Sequence, residues 1–494
     1  MKAEPYKTLF TKLKTQYEGD QAIASMVASG KLRQNVESSI VENLEKLLFA
    51  GWIAKKQTGD DIFTHLNLHE RPKSLFDSPP LSTWVSYVTK LDRDGADEQI
   101  YKTLKTHYSD DIIAMNLAGS KTYLKADVAP KLEEFLHKSW VGEATSAKGL
   151  FAKLKLDSQG DKLFESLVFS TWVGYVTKLD AQNADDLVLS TLKTSYTDYA
   201  LATLLMEART NDDMKVLADK LAEAQRKNWL SDGKSADDVF KLLKLDDEAD
   251  DLLKSPMLSN WVAYVKQLKE NPYAILLEKL KVKFGDSDSK FADMLMEAKK
   301  DTSTSAIAGK IEAVQLEKWL NDGKTASDIF KLLKLEKEGA FILWYRRVRM
   351  WVAYASKVDP KNSDELIASV LKAHNNDKVL GEMISVGRNH DEEMTVKFQE
   401  VVLNMWLREK KSADDVFGYV LKRHGEHFLK IPRDLSTWAA YVTKLDKEDA
   451  YNTMVAVLNR YYDKKTLIGM LNDAKETSGS ELIAKKLQQV LAPV

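Results

Sequence analysis

Histidines, paired carboxylates and glycine-rich loops are the first places to look for chemistry, because they supply proton carriers, metal ligands and phosphate cradles. The eight histidines, His65, His69, His107, His137, His374, His390, His424 and His427, recur in no common register. Only His424-Gly-Glu-His427 approaches a metal-ligand spacing, and it reads more simply as a solvated, irregular segment. Acidic pairs such as Asp237 with Asp238 recur where helices begin, so they read as helix-start residues before they read as a general acid and base. No GxxxxGK, GxGxxG, GxSxG or HExxH pattern occurs, and the 21 glycines stand singly, as at helix ends. The absence of cysteine excludes disulfides, thiolate catalysis and cysteine-ligated metal centres. The chain is thus expected to be no enzyme, with no cofactor, no metal site and no small-molecule substrate.

The elements that position these residues are set by a repeat. At 494 residues the chain is too long for one hydrophobic core. Trp52, Trp140, Trp229, Trp319 and Trp406 are spaced 88, 89, 90 and 87 residues apart, and Trp84, Trp172, Trp261, Trp351 and Trp438 repeat those four spacings. Phe63, Phe151, Phe240, Phe330 and Phe417 keep the register, as do Tyr87, Tyr175, Tyr264, Tyr354 and Tyr441. Within a unit, apolar residues recur at three and four, the helical period. Thr58 with Asp61, Ser235 with Asp238, Thr325 with Asp328 and Ser412 with Asp415 form capping-box patterns. Ser82, Ser170, Ser259 and Ser436, two residues before the inner tryptophan, mark a second helix start, with Pro80, Pro256 and Pro432 close upstream.

The expected fold is all-α: a tandem array of about five stacked helical-bundle repeats, with about five helices per unit, forming an elongated rod. Units are placed at 52–139, 140–228, 229–318, 319–405 and 406–494, and residues 1–51 match the second half of a unit. Each unit's last helix runs without proline or glycine into the next unit's first tryptophan, which is expected to be buried at the seam. With 72 basic against 74 acidic residues, the balance of charge suggests neither nucleic acid nor an anionic membrane as partner. No apolar run reaches membrane-spanning length, and residues 1–20 lack a signal peptide.

LSTWVSYVTKLD (81–92), LKTHYSDDIIA (104–114) and GKSADDVFKLLKLD (233–246), in a unit near ninety residues, resemble the W, Y and L motifs of oomycete effectors. In particular, the chain is similar to the tandem LWY-repeat, or WY-domain, class of RxLR effectors from Phytophthora-type plant pathogens. On that resemblance the W residues are Trp84, Trp172, Trp261, Trp351 and Trp438. The Y-motif aromatic falls at Tyr17, Tyr108, Tyr196 and Tyr461, becoming Phe284 and His374 in the third and fourth units. The RxLR segment is absent, as in a mature or trimmed form. The resemblance implies a modular scaffold, secreted and translocated into the host cytoplasm or nucleus, that suppresses plant immunity by binding host proteins. Some members act like a regulatory subunit of protein phosphatase 2A, recruiting its scaffold and catalytic subunits.

In repeat arrays, partner choice resides where units depart from the shared pattern. The largest departure is AFILWYRRVRMW (340–351), where Arg349 replaces the serine of other units and Trp344 replaces Asp77, Glu165, Lys254 and Ile431. Trp344, Tyr345, Arg346, Arg347 and Arg349 are residue types common in interface hot spots and form the candidate protein-binding site. Phe341, Trp344, Val348 and Trp351 fall at spacings of three, four and three, so Trp344 has a second reading as an extension of the core stripe. Tyr345 and the three arginines lie off that stripe and are expected to face a partner. The alternatives to a host-protein scaffold are a helical-repeat hydrolase or transferase, for which no polar cluster is evident, and nucleic-acid binding through RRVR, which the neutral remainder disfavours.

Overall fold

The computed structural model describes residues 4–17, 19–33, 36–119, 124, 127–285, 287–387 and 391–491; His390 lies outside them. The described residues form 28 α-helices joined by short 3-10 turns, with no strand. The fourth repeat shows the order. A short helix Ala326–Leu332 leads through the 3-10 turns Leu335–Lys337 and Gly339–Trp344 to an inner helix, Arg347–Val358. Helices Ser363–His374 and Asp377–Gly387 follow, and Glu392–Arg408 carries the next seam tryptophan, Trp406.

The four capping boxes are formed. At Thr325, for example, Oγ1 accepts the Asp328 N–H at 3.1 Å, while Asp328 Oδ2 accepts the Thr325 N–H at 2.9 Å. Two orphan donors at the helix start are thereby satisfied, a contribution of about 1 kcal/mol per cap. The serines two before the inner tryptophans do not cap. Ser170, Ser259 and Ser436 already lie inside the helix, and each hydroxyl donates to the carbonyl three residues back. Upstream turns and the prolines start these helices earlier, at Pro79, Leu167, Leu258 and Pro432. Glycine is likewise not confined to helix ends: Gly174, Gly309 and Gly381 sit within helices.

The inner aromatics build one recurring frame. Trp84, Trp172, Trp261, Trp351 and Trp438 are buried, and each indole N–H donates, at 2.7–2.9 Å, to a carbonyl in the first turn of the capped helix. Each packs edge-on or tilted against the phenylalanine of its own unit, at 4.9–5.3 Å between centroids. The tyrosine three residues on donates to the carbonyl just before the cap residue, as Tyr354 does to Lys324 at 2.5 Å. Every large polar tip is therefore bonded while its ring fills the core.

The seam tryptophans are buried too. Trp140 packs edge-on against Tyr175, and its N–H donates to Asp110 Oδ2 at 2.8 Å, so one indole joins the helix start behind it to the core ahead. Trp52, Trp229 and Trp406 bond Asp20, Asp198 and Asp377 in the same way. Lys105 and Lys153 clamp Asp110, and Lys372 and Lys411 clamp Asp377. Burial works against the charge on Asp110, but the hydrogen bonds from Lys105, Lys153 and Trp140 outweigh it and hold this carboxyl below its ordinary value.

The chain divides into two compact bodies, residues 1–249 with 256–264, and residues 250–255 with 265–494. The first holds the N-terminal helices Glu4–Gln16, Asp20–Leu32 and Ser38–Ala54 with the first two repeats. The second holds the fourth and fifth repeats and most of the third.

Candidate protein-binding site

Glycine at 339, with φ near +51°, opens the divergent segment, and residues 339–344 wind as a 3-10 helix. With about three residues per turn, side chains at i and i+3 eclipse. Phe341 and Trp344 therefore stack on one outer face, T-shaped at 4.9 Å, and each is 49% exposed. Ile342 and Leu343 turn inward and are buried. Tyr345 is extended, with φ −101° and ψ 123°, so the α-helical register begins afresh at Arg347. This break is why Trp344 does not extend the stripe of Val348 and Trp351: the spacing in sequence is helical, but the backbone between is not.

The structure separates the remaining candidates. Arg347 is only 6% exposed and does not face outward as expected. Its Nε donates to the Leu333 carbonyl at 2.7 Å, Nη1 to Asp293 at 2.7 Å and Nη2 to Glu338 at 2.6 Å. The guanidinium also lies 4.1 Å from the Tyr345 ring centroid. Tyr345 is half-buried, and its hydrogen bond to Glu338 and the charge of that carboxylate push its phenol up from the ordinary value. Arg347 and Tyr345 thus form a locking unit of the fold. Arg346 pairs with Glu297 at 2.7 Å, and Arg349 grips Asp391 through two nitrogens at 2.7 and 2.8 Å and reaches Glu393 at 2.9 Å. All three arginines of the run are therefore bonded to carboxylates.

Trp344, Arg346 and Arg349 border a cleft of about 770 Å³. Buried Met296, Leu343, Val352 and Met394 line it, with Lys299, Glu312 and Asp391 among its polar groups. The lysine pairs with Glu312. An aromatic wall, flexible methionines and a rim of exchangeable ion pairs suit an adaptable protein contact. Met296, Lys299 and Met394 were not foreseen, because they arrive from helices on either side of the divergent segment and only packing brings them together. The seam aspartates were missed although a signal existed: Asp20, Asp110, Asp198, Asp288 and Asp377 are spaced 90, 88, 90 and 89 residues apart, in step with the tryptophans.

The Y-motif assignment also shifts. Tyr108 donates to the Leu68 carbonyl and Tyr196 to Gly160, and in the last repeat Tyr462, not Tyr461, does the same to Gly425. Tyr461 and His374 instead lie against Phe417 and Phe330, where His107 lies against Phe63. His424 bonds Asp434, and the backbone breaks at Gly425, so His424 and His427 share no helix.

No family model matches the chain. It is 29% identical to the RxLR effector protein PSR2 of Phytophthora sojae over 490 residues, 96% of this chain and 72% of that protein. It is 31% identical to the RxLR effector protein CRE15 of Phytophthora infestans over 274 residues, 54% of this chain and 76% of that protein. The crystal structure of PcRxLR12 superposes with a TM-score of 0.66 at 28% identity, covering 81% of this chain and 99% of that one. This chain belongs to the RxLR effector family. It is a virulence effector with the all-α LWY fold, of a class that is secreted and delivered into host cells to act on host proteins. The relatives of this RxLR effector bear effector names and no enzyme names. No helix among the described residues is long and apolar enough to cross a membrane.

Proposed function

We propose that this RxLR effector is a modular host-protein-binding scaffold that suppresses plant immunity, and that the Phe341–Trp344 face and its cleft are one docking surface. We further propose that it acts in the host cytoplasm or nucleus. Its proposed partner is the core enzyme of host protein phosphatase 2A, held through the scaffold and catalytic subunits in the manner of a regulatory subunit, as the resemblance to LWY effectors implies. The observation that carries the docking reading is an aromatic pair left half exposed on a frame whose inner and seam tryptophans are all buried. Covering roughly 200 Å² of these rings releases about 5 kcal/mol before ordering costs, enough to anchor an interface.

Affinity purification of the full chain from plant tissue tests both parts, using wild type beside the Phe341→Ser/Trp344→Ser double variant. Wild type should recover phosphatase scaffold and catalytic subunits. The double variant should lose the partner held by the fourth repeat while keeping the wild-type circular dichroism. If phosphatase subunits are missing from the wild-type sample, the partner is misassigned; if the double variant keeps every partner, the surface is.

A further inference from the structure

One histidine stands apart from the others. His137, on helix Val128–Gly142, is 3% exposed, and neither ring nitrogen has a hydrogen-bond partner. Its ring packs 5.5 Å from Trp140 and 6.1 Å from Tyr175, the two aromatics that close the seam between the first and second repeats. From helix Leu167–Leu179, Gly174 faces the ring so closely that a β-carbon there would already touch Cε1, at 3.6 Å. The corresponding position, three residues before the seam tryptophan, holds Phe49, Arg226, Leu316 and Leu403 in the other repeats, none of which changes charge near neutrality. Opposite it, where this repeat has Gly174, the others have Ser86, Ala263, Ala353 and Ala440. A titratable ring and the space to hold it thus occur together at this seam.

We propose that His137 is an acid-sensitive latch: neutral, it fills the seam between Val128–Gly142 and Leu167–Leu179, and protonated, it opens that seam while the other repeats stay closed. The surroundings offer an imidazolium little. Lys178 on the facing helix repels it, Tyr175 presents its ring, and Glu133 on its own helix attracts it only weakly. The Thr171 carbonyl lies near without hydrogen-bond geometry. On the helices packed against the other flank, Asp110 is committed to Trp140, Lys105 and Lys153, and Asp97 to Lys131. Tyr101 stacks on Phe135.

Burial, with the Lys178 charge beside it, lowers the affinity of this ring for a proton below the ordinary histidine value. The sign follows. Below about pH 6.5 the unfolded chain binds a proton that the folded chain resists, so the stabilisation given by the neutral ring is complete at neutral pH and lost on acidification. His65, His107 and His424, by contrast, each lie against a carboxylate, at 3.2, 2.8 and 2.7 Å.

The test uses the full chain with its histidines carbon-13 labelled at Cε1, together with His137→Phe, which installs the residue that the preceding seam carries at Phe49. The resonance missing from the variant should titrate below the ordinary value of about 6.5. Between about pH 7.5 and pH 5.5, wild type should lose more of its melting temperature than the variant. Titration at or above the ordinary value, or equal losses in the two proteins, would overturn the latch. If His137→Phe does not fold, the pair Leu403→His with Ala440→Gly, built into the last seam of the wild-type chain, must add acid sensitivity there; an unchanged pH profile overturns the proposal as well.

Discussion

Four residues before the inner tryptophan, the first three repeats bury an apolar side chain, Pro80, Val168 or Met257, whereas the last two bury opposite charges, Arg347 and Asp434. Each charge is met twice. Arg347 finds Glu338 in the turn just ahead of its helix and Asp293 on helix Asp288–Ala298 of the preceding repeat. Asp434 finds Arg423 and His424 in its own turn, and Arg423 reaches back to Glu382 on helix Asp377–Gly387. The comparison teaches that the frame does not require an apolar group at this position. It requires a satisfied one, and the partners can be of either sign, from the adjoining turn or from the preceding repeat. Positions beneath the shared aromatics can therefore drift in chemistry while the fold stays the same.

The largest effect should come from the part the two repeats share. Trp351→Ala and Trp438→Ala should each cost about 3–5 kcal/mol, as large-to-small changes at fully buried sites. Chemical denaturation with hydrogen exchange would show the loss concentrated in the mutated repeat and its neighbour, because contacts in such arrays run between neighbours. Costs that differ between the two variants by more than about 2 kcal/mol would mean that the frames are not equivalent and that the charged position has altered the core.

The frame was legible in sequence for the same reason that it is shared. Large aromatics at fixed spacing can only be core, and the cap residues announce helix starts without tertiary context. What was not legible depends on backbone local to one repeat. Trp344 is spaced for a helical stripe, yet Gly339 and the extended Tyr345 turn it outward. Arg347 belongs to a run of arginines that reads as surface, yet three carboxylate or carbonyl partners drawn from separate segments take it inside. Sequence spacing carries no record of such convergence.

The charged position should give the next largest effects. Arg347→Met and Asp434→Met install the residue of the third repeat, Met257, and each leaves former partners without their counter-charge. Asp293 and Glu338, or Arg423 and His424, retain some access to water, so the cost should be about 1–3 kcal/mol instead of that of a fully buried orphan charge. Denaturant midpoints measure it. A neutral or stabilising outcome would show that the ion pairs merely replace apolar packing, as buried pairs sometimes do.

Acid should separate the repeats further, through the seam aspartates. Asp110 and Asp377 resist protonation because, against the cost of burial, lysines and a tryptophan N–H favour the charged form. Their folded-state values lie below the unfolded ones, so their stabilisation is present above the unfolded carboxylate value of about 3.9 and disappears as pH falls through the folded value. Asp377→Asn should lower stability at neutral pH and flatten the acid limb of a stability-against-pH profile. An acid limb as steep as that of wild type would place the sensitive groups elsewhere.

The smallest effect should come from Arg349, two residues along from Arg347. Arg349→Ser restores the residue that other repeats carry at Ser82, Ser170, Ser259 and Ser436. Arg349 is 39% exposed, and although its fork to Asp391 is bidentate, Glu393 on the same rim is largely in water. Water screens such pairs, and the cost should stay below about 1 kcal/mol, well under that of Arg347→Met. The same change strips the cleft of one rim cation beside Trp344, so binding of a fourth-repeat partner should weaken, with a smaller loss than Trp344→Ala gives, because aromatic anchors usually outweigh rim charges. Parallel denaturation and binding measurements on the three variants decide the matter. If Arg349→Ser destabilises as much as Arg347→Met, the rim belongs to the frame, and the division between a locking arginine and a partner-facing one fails.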